Sequence, residues 1–155
     1  MGNQNSINKL SLYDMQNIVN SISNSNTNSN SNTNAKLNSN YIIINTMEDN
    51  EQDCLIINTL IPQQEIELFN NNLHQIINKN VVIYGKNNNC NKLVDKYYQI
   101  KKMGFMNVYL YIGGLFEWIL LQDIFGEENF PTTTKENDIL KYKPRNIINN
   151  FLLLQ

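Results

Sequence analysis

The chain contains one arginine, one histidine and two cysteines among 155 residues, and each scarcity closes off a chemistry. The lone arginine, Arg145, lies near the carboxyl end, so no bidentate guanidinium clamp for phosphate exists in the body of the sequence. The lone histidine, His74, has no second His, Cys or paired carboxylate at ligand spacing, which argues for a surface side chain and no metal. Two cysteines without a secretory leader point to free thiols in a reducing, cytoplasmic compartment. Charged residues are few (17%) and sum to about −2, which leaves no basic footprint for nucleic acid. No apolar run approaches the ~18 residues of a membrane-spanning helix.

What is present divides into four stretches. Residues 1–22 hold a short amphipathic pattern, Leu10 to Ile22, with Leu12, Met15, Ile18, Val19 and Ile22 recurring at helical spacing. Residues 23–40 are an Asn/Ser tract that cannot bury apolar surface, expected to be disordered. Asn makes up about a fifth of the whole chain, a bias better read as genome composition than as design. Residues 41–145 carry most of the apolar content and suffice for one domain. Residues 146–155 form a tail whose Ile147, Ile148 and Phe151–Leu154 suit packing back as a helix or meeting another chain.

The densest information lies between Val81 and Trp118. Val81-Val82-Ile83-Tyr84 reads as a strand covered on both faces. A polar loop, Gly85 to Cys90, leads straight into a helix whose Leu93, Val94, Tyr97 and Ile100 share one face. Gly104 stands where a left-handed residue ends a helix, Phe105 follows as the hydrophobic cap contact, and Lys101 and Lys102 suit the negative end of the dipole. Asn107 to Ile112 is a second buried strand, so the two strands and their helix predict a right-handed parallel unit. Gln64 to Lys79 predicts another helix, burying Ile66, Phe69, Leu73, Ile76 and Ile77. Leu115 to Phe125, apolar almost all round and stopped by Gly126, predicts a core helix with Trp118 as a packing anchor.

This order of residues resembles the rhodanese-like domain. The resemblance rests on Val81–Tyr84, the loop Gly85–Cys90, Gly104-Phe105-Met106-Asn107-Val108, then Gly113-Gly114 and Trp118. Upstream, Tyr41-Ile42-Ile43-Ile44-Asn45 is similar to the family's early strand. Cys54-Leu55-Ile56 through Ile61-Pro62 is similar to the segment that follows it. The run Gly-Gly-Leu-Phe-Glu-Trp and the later Phe130-Pro131-Thr132-Thr133 are most like family members of eukaryotes and large DNA viruses, which implies a host cytoplasm or a virion. The implied fold is α/β: a parallel sheet flanked by helices, with the Asn/Ser tract as an amino-terminal insertion.

The same resemblance implies a degenerate active-site loop. Active members carry a nucleophilic cysteine directly after the central strand, where this chain has Gly85, and an arginine near the loop's end, at or beside Cys90. The leading expectation is therefore a catalytically inactive binding or scaffolding module with a protein partner still to be identified, and no cofactor. The alternative is a thiosulfate-type sulfurtransferase in which Cys90, near a helix N-terminus, forms the persulfide. The phosphatases that share this fold place an arginine after Cys and five intervening residues; from Cys90 that interval reaches Lys96, on the helix body. Gly85, Lys86, Asn87, Asn88, Asn89 and Cys90 together form a candidate anion-binding loop, although Asn is also common loop filler. Cys54 reads as a small buried hydrophobe. Finally, Met1-Gly2-Asn3-Gln4-Asn5-Ser6 fits the N-myristoylation pattern, with Gly2 as acceptor, and one acyl chain gives only weak membrane association.

Overall fold

A computed structural model describes residues 6–26 and 38–148; Gly2, most of the Asn/Ser tract and the end of the tail lie outside the described residues. Helices α1 (Leu12–Asn26), α2 (Pro62–Ile76), α3 (Asn91–Lys102) and α4 (Gly114–Phe125) surround strands β1 (Tyr41–Asn45), β2 (Thr59–Leu60), β3 (Asn80–Tyr84) and β4 (Asn107–Tyr111). The strands form one parallel sheet in the order β2-β1-β3-β4. Outside β4, Lys9 makes a parallel bridge to Leu110, with Leu110 N–H donating to Asn8 O and Leu10 N–H to Leu110 O, both at 2.8 Å.

Alternate residues of each strand face opposite sides, so the central strands are apolar on both faces apart from Asn45 and Asn80 at their ends. Ile43, Val82, Tyr84 and Tyr111 meet α1 and α4 on one side, where Met15, Ile18, Val19, Ile22, Leu115, Trp118 and Ile119 complete the core. Ile42, Ile44, Val81, Ile83, Val108 and Leu110 meet α2 and α3 on the other, with Phe69, Ile76, Leu93, Tyr97, Ile100 and Phe105. Trp118 is fully buried; its indole N–H donates to Pro131 O at 3.1 Å, and its ring stands edge-on to Tyr111 and Phe130. It is the packing anchor expected from the sequence.

Three local expectations need correction. Helix α1 continues to Asn26, four residues past Ile22, because Ser23 and Asn26 bond to the side chain of Asn58, itself in the left-handed region at φ 68°. On α2, Ile66 is 60% exposed and Glu65 is buried in its stead. The helix begins at Pro62 and is interrupted at Asn72, and Glu65 forms an ion pair with Lys96 of α3 between the two helices. On α3, Val94 is exposed while Leu93, Tyr97 and Ile100 alone face the sheet, since a 12-residue helix over a flat layer needs only a narrow stripe. Gly104, at φ 104°, ends α3 as expected, with Phe105 buried behind it.

Candidate functional site

Parallel strands deliver their following loops to one end of the sheet, and that end is where ligands sit in open α/β folds. Here the turn after β1 and the loop after β3 emerge from adjacent strands, so residues 46–52 lie against residues 85–90. The loop is held from below. Gly85 O accepts from Leu115 N–H at 3.0 Å and Lys86 O from Phe116 N–H at 2.9 Å, so loop carbonyls cap the first turn of α4. Such an approach requires glycine on the helix side: a Cβ on Gly114, at φ 67°, would stand 2.5 Å from Gly85 O and 3.0 Å from Asn87 N. The Gly-Gly pair is thereby explained as a close contact between helix and loop.

Within the loop, Gly85 and Asn87 are buried, Lys86 and Cys90 are half-buried, and Asn88 and Asn89 are exposed. Asn87 donates from Nδ2 to Tyr142 O at 2.9 Å and accepts from Asn89 N–H at 2.9 Å, a turn-forming use of asparagine. Cys90 is the N-cap of α3 but makes no capping bond; its side chain folds back over Gly85. Its Sγ lies 3.7 Å from Thr46 Oγ1 and 3.1 Å from where a Cβ on Gly85 would stand. That same Cβ position is only 2.9 Å from Thr46 Oγ1. The space a side chain at 85 would need is therefore already occupied.

Charge at the rim is neutralised internally. Lys86 pairs with Glu51 at 2.6 Å, and Lys92, in the first turn of α3, pairs with Glu48. The Lys92 ammonium holds the Glu48 carboxyl below its usual range by hydrogen bonding and charge, and Glu48 in turn raises Lys92. Of the candidate anion loop, the structure brings Gly85, Lys86, Asn87 and Cys90 together and leaves Asn88 and Asn89 facing solvent. Cys54 is buried, with its thiol pushed up by burial and donating to Thr134 O at 3.4 Å, as a small hydrophobe would sit. His74 is exposed, and among the described residues no cluster of His, Cys, Asp or Glu is arranged to hold a metal ion. No helix among them is long and apolar enough to cross a membrane.

Sequence reasoning missed Thr46, Glu48, Glu51, Glu117 and Tyr142. The first three carried a signal: residues just past one strand must face the loop past its parallel neighbour, once the strand order is known. Glu117 accepts from the buried Tyr111 hydroxyl at 3.0 Å, and burial followed by that nearby carboxylate drives the tyrosine pKa far upward. Tyr142 reaches the loop from a 3-10 turn, Ile139–Tyr142, more than fifty residues downstream, which local patterns do not disclose.

Residues 54–121, from the start of the β2 segment into α4, match the family model of the rhodanese-like domain. The Rhodanese_3-like domain of the Alr3790 protein from Anabaena sp. is similar at TM-score 0.43 and 19% identity, covering 59% of this chain and 97% of that one. A second structure of the Alr3790 protein gives 0.41 and 16%, with 74% and 77% covered. No curated protein matches the sequence. The matched stretch lies within an α/β fold whose parallel sheet is flanked by helices, and over those residues the chain is similar to a rhodanese-like domain.

Proposed function

We propose that this chain is a non-catalytic rhodanese-like module, a binding or scaffolding unit whose active-site loop has degenerated. The observation that carries the reading is Gly85: it stands where active members have their nucleophile, and Thr46 and Cys90 fill the space its side chain would take. The loss is thus built into the packing. The paired lysines support the same conclusion, since an anionic sulfur donor would find both ammonium groups already matched by carboxylates. The Gly-Gly-Leu-Phe-Glu-Trp run supports kinship with the eukaryotic and large-DNA-virus branch, and with it a cytoplasmic or virion setting. Acylation of Gly2 would add a weak membrane tether that needs a second signal to hold. Intact mass after co-expression with a myristoyltransferase tests this, and an unmodified amino terminus refutes it.

One observation favours a second reading. The Cys90 Sγ places a sulfur atom 3.1 Å from where a Cβ on Gly85 would stand. In a sulfurtransferase the Cys90 thiolate would attack the outer sulfur of thiosulfate, breaking its S–S bond and releasing sulfite. Cyanide would then take that sulfur from the persulfide as thiocyanate and restore the thiolate. Incubation of the purified protein with thiosulfate and cyanide decides between the readings. The module predicts no thiocyanate above the protein-free rate; production that Cys90→Ser abolishes overturns it.

A further inference from the structure

We propose that the turn of residues 46–52 is a two-point clamp on the loop, and that the ion pairs Lys86–Glu51 and Lys92–Glu48 keep the Cys90 thiol tucked against Gly85 and Thr46. The turn is the rigid partner. Asn45, buried at the end of β1, donates from Nδ2 to Gln52 Oε1 at 3.0 Å and to Leu60 O at 3.3 Å. Its Oδ1 accepts from Met47 N–H at 3.0 Å and from Gln52 Nε2 at 2.9 Å. Gln52 Nε2 also donates to Met47 O and Glu48 O, both at 3.2 Å, and Met47 is buried in the core. These bonds fix where Glu48 and Glu51 stand before the loop meets them.

The loop is fastened unevenly. Its first half is tied three ways: Gly85 O and Lys86 O to α4, Asn87 to Tyr142, and Lys86 to Glu51. Its second half has the Asn89–Asn87 turn, the bond from Leu93 N–H to Cys90 O at 3.2 Å, the Thr46 contact and the Lys92–Glu48 pair. That last pair is exposed on both sides, at 60% and 58%, so it opens readily and yields to salt. The clamp therefore releases from the Cys90 side first, and the thiol swings outward with the rim. This holds whether or not Cys90 turns over sulfur.

The test is the rate at which iodoacetamide, an uncharged reagent, alkylates Cys90 in the full chain, followed by peptide-resolved mass spectrometry across pH. Cys54, 2% exposed, serves as the internal report of intact folding. The limiting rate at high pH is the quantity compared. Glu48→Gln is expected to raise that limit about fivefold at low salt, and Glu51→Gln less than about twofold. Exchange of the pair, Glu48→Lys with Lys92→Glu, is expected to restore the wild-type limit, and ~1 M sodium chloride to raise the wild type to the Glu48→Gln value. An unchanged limit in Glu48→Gln, an equal effect of the two single variants, or a raised limit in the exchanged pair would overturn the proposal.

Discussion

Replacing Gly114 with alanine probes the contact on which the loop's position depends. Two costs combine. At φ 67° a residue with a Cβ loses about 1 kcal/mol or more relative to glycine. The new methyl would also lie 2.5 Å from Gly85 O, so that carbonyl must retreat by about 0.9 Å to reach ordinary contact. The retreat stretches the 3.0 Å bond from Leu115 N–H beyond useful length and adds roughly another 1–2 kcal/mol. The expected destabilisation is about 3 kcal/mol. Urea denaturation followed by fluorescence of Trp118, the only tryptophan, should show the midpoint falling by about 2 M at a typical slope of ~1.5 kcal/mol/M. Gly104→Ala is the control: φ is 104°, but the nearest atom to its Cβ is a flexible Ile77 methyl at 3.4 Å. It should cost only the backbone share, about 1 kcal/mol. Equal losses for the two variants, or a loss below ~0.5 kcal/mol for Gly114→Ala, would refute the close-contact argument.

Other outcomes follow from buried polar groups. Tyr84 is fully buried, its hydroxyl accepting from Ile56 N–H at 3.1 Å and sharing a 2.9 Å bond with Thr59 Oγ1. Tyr84→Phe should cost about 1–3 kcal/mol in the same denaturation assay, as it leaves a buried N–H unmatched. Burial pushes the pKa values of Tyr84 and Tyr111 well above the ordinary tyrosine value. The folded state therefore keeps protons that the unfolded state releases, so stability is intact below pH ~10 and falls as pH rises beyond it. Stability measured against pH should decline there by about 1.4 kcal/mol per pH unit for each tyrosine, and Tyr84→Phe should remove one such increment. Glu65→Ala strands Lys96, 21% exposed, beside the α2–α3 contact; a loss of about 2 kcal/mol is expected, and a neutral result would show the pair to be idle.

Much of the architecture was legible because central parallel strands are apolar on both faces and their crossovers are punctuated by glycine. Val81–Tyr84, Gly104 and Gly113-Gly114 marked β3, the end of α3 and the start of α4 close to where they stand. Periodicity failed where a helix is only partly covered. Ile66 and Val94 fit an apolar stripe on paper, yet the sheet beneath buries Phe69, Ile76, Leu93, Tyr97 and Ile100, with Leu68, Leu73 and Ile77 partly covered at their side. Burial of Glu65 was hidden because its partner lies on another helix. At the site, a glycine directly after β3 was plain, and so was a thiol five residues on. That Cys90 bends back over Gly85, and that Glu48 and Glu51 reach the loop lysines, depends on strand order, which pairwise motifs do not encode.

The bridge between Lys9 and Leu110 has a bearing on how this chain avoids its own kind. An outermost strand with bare amide and carbonyl groups invites a neighbour to zip onto it, and here Asn8 to Leu10 take up that invitation from within. Trimming the amino end by ten residues would bare the Leu110 amide and carbonyl on the outer edge of β4, and the shortened protein would be prone to stacking into aggregates rather than merely losing a flourish at its tip.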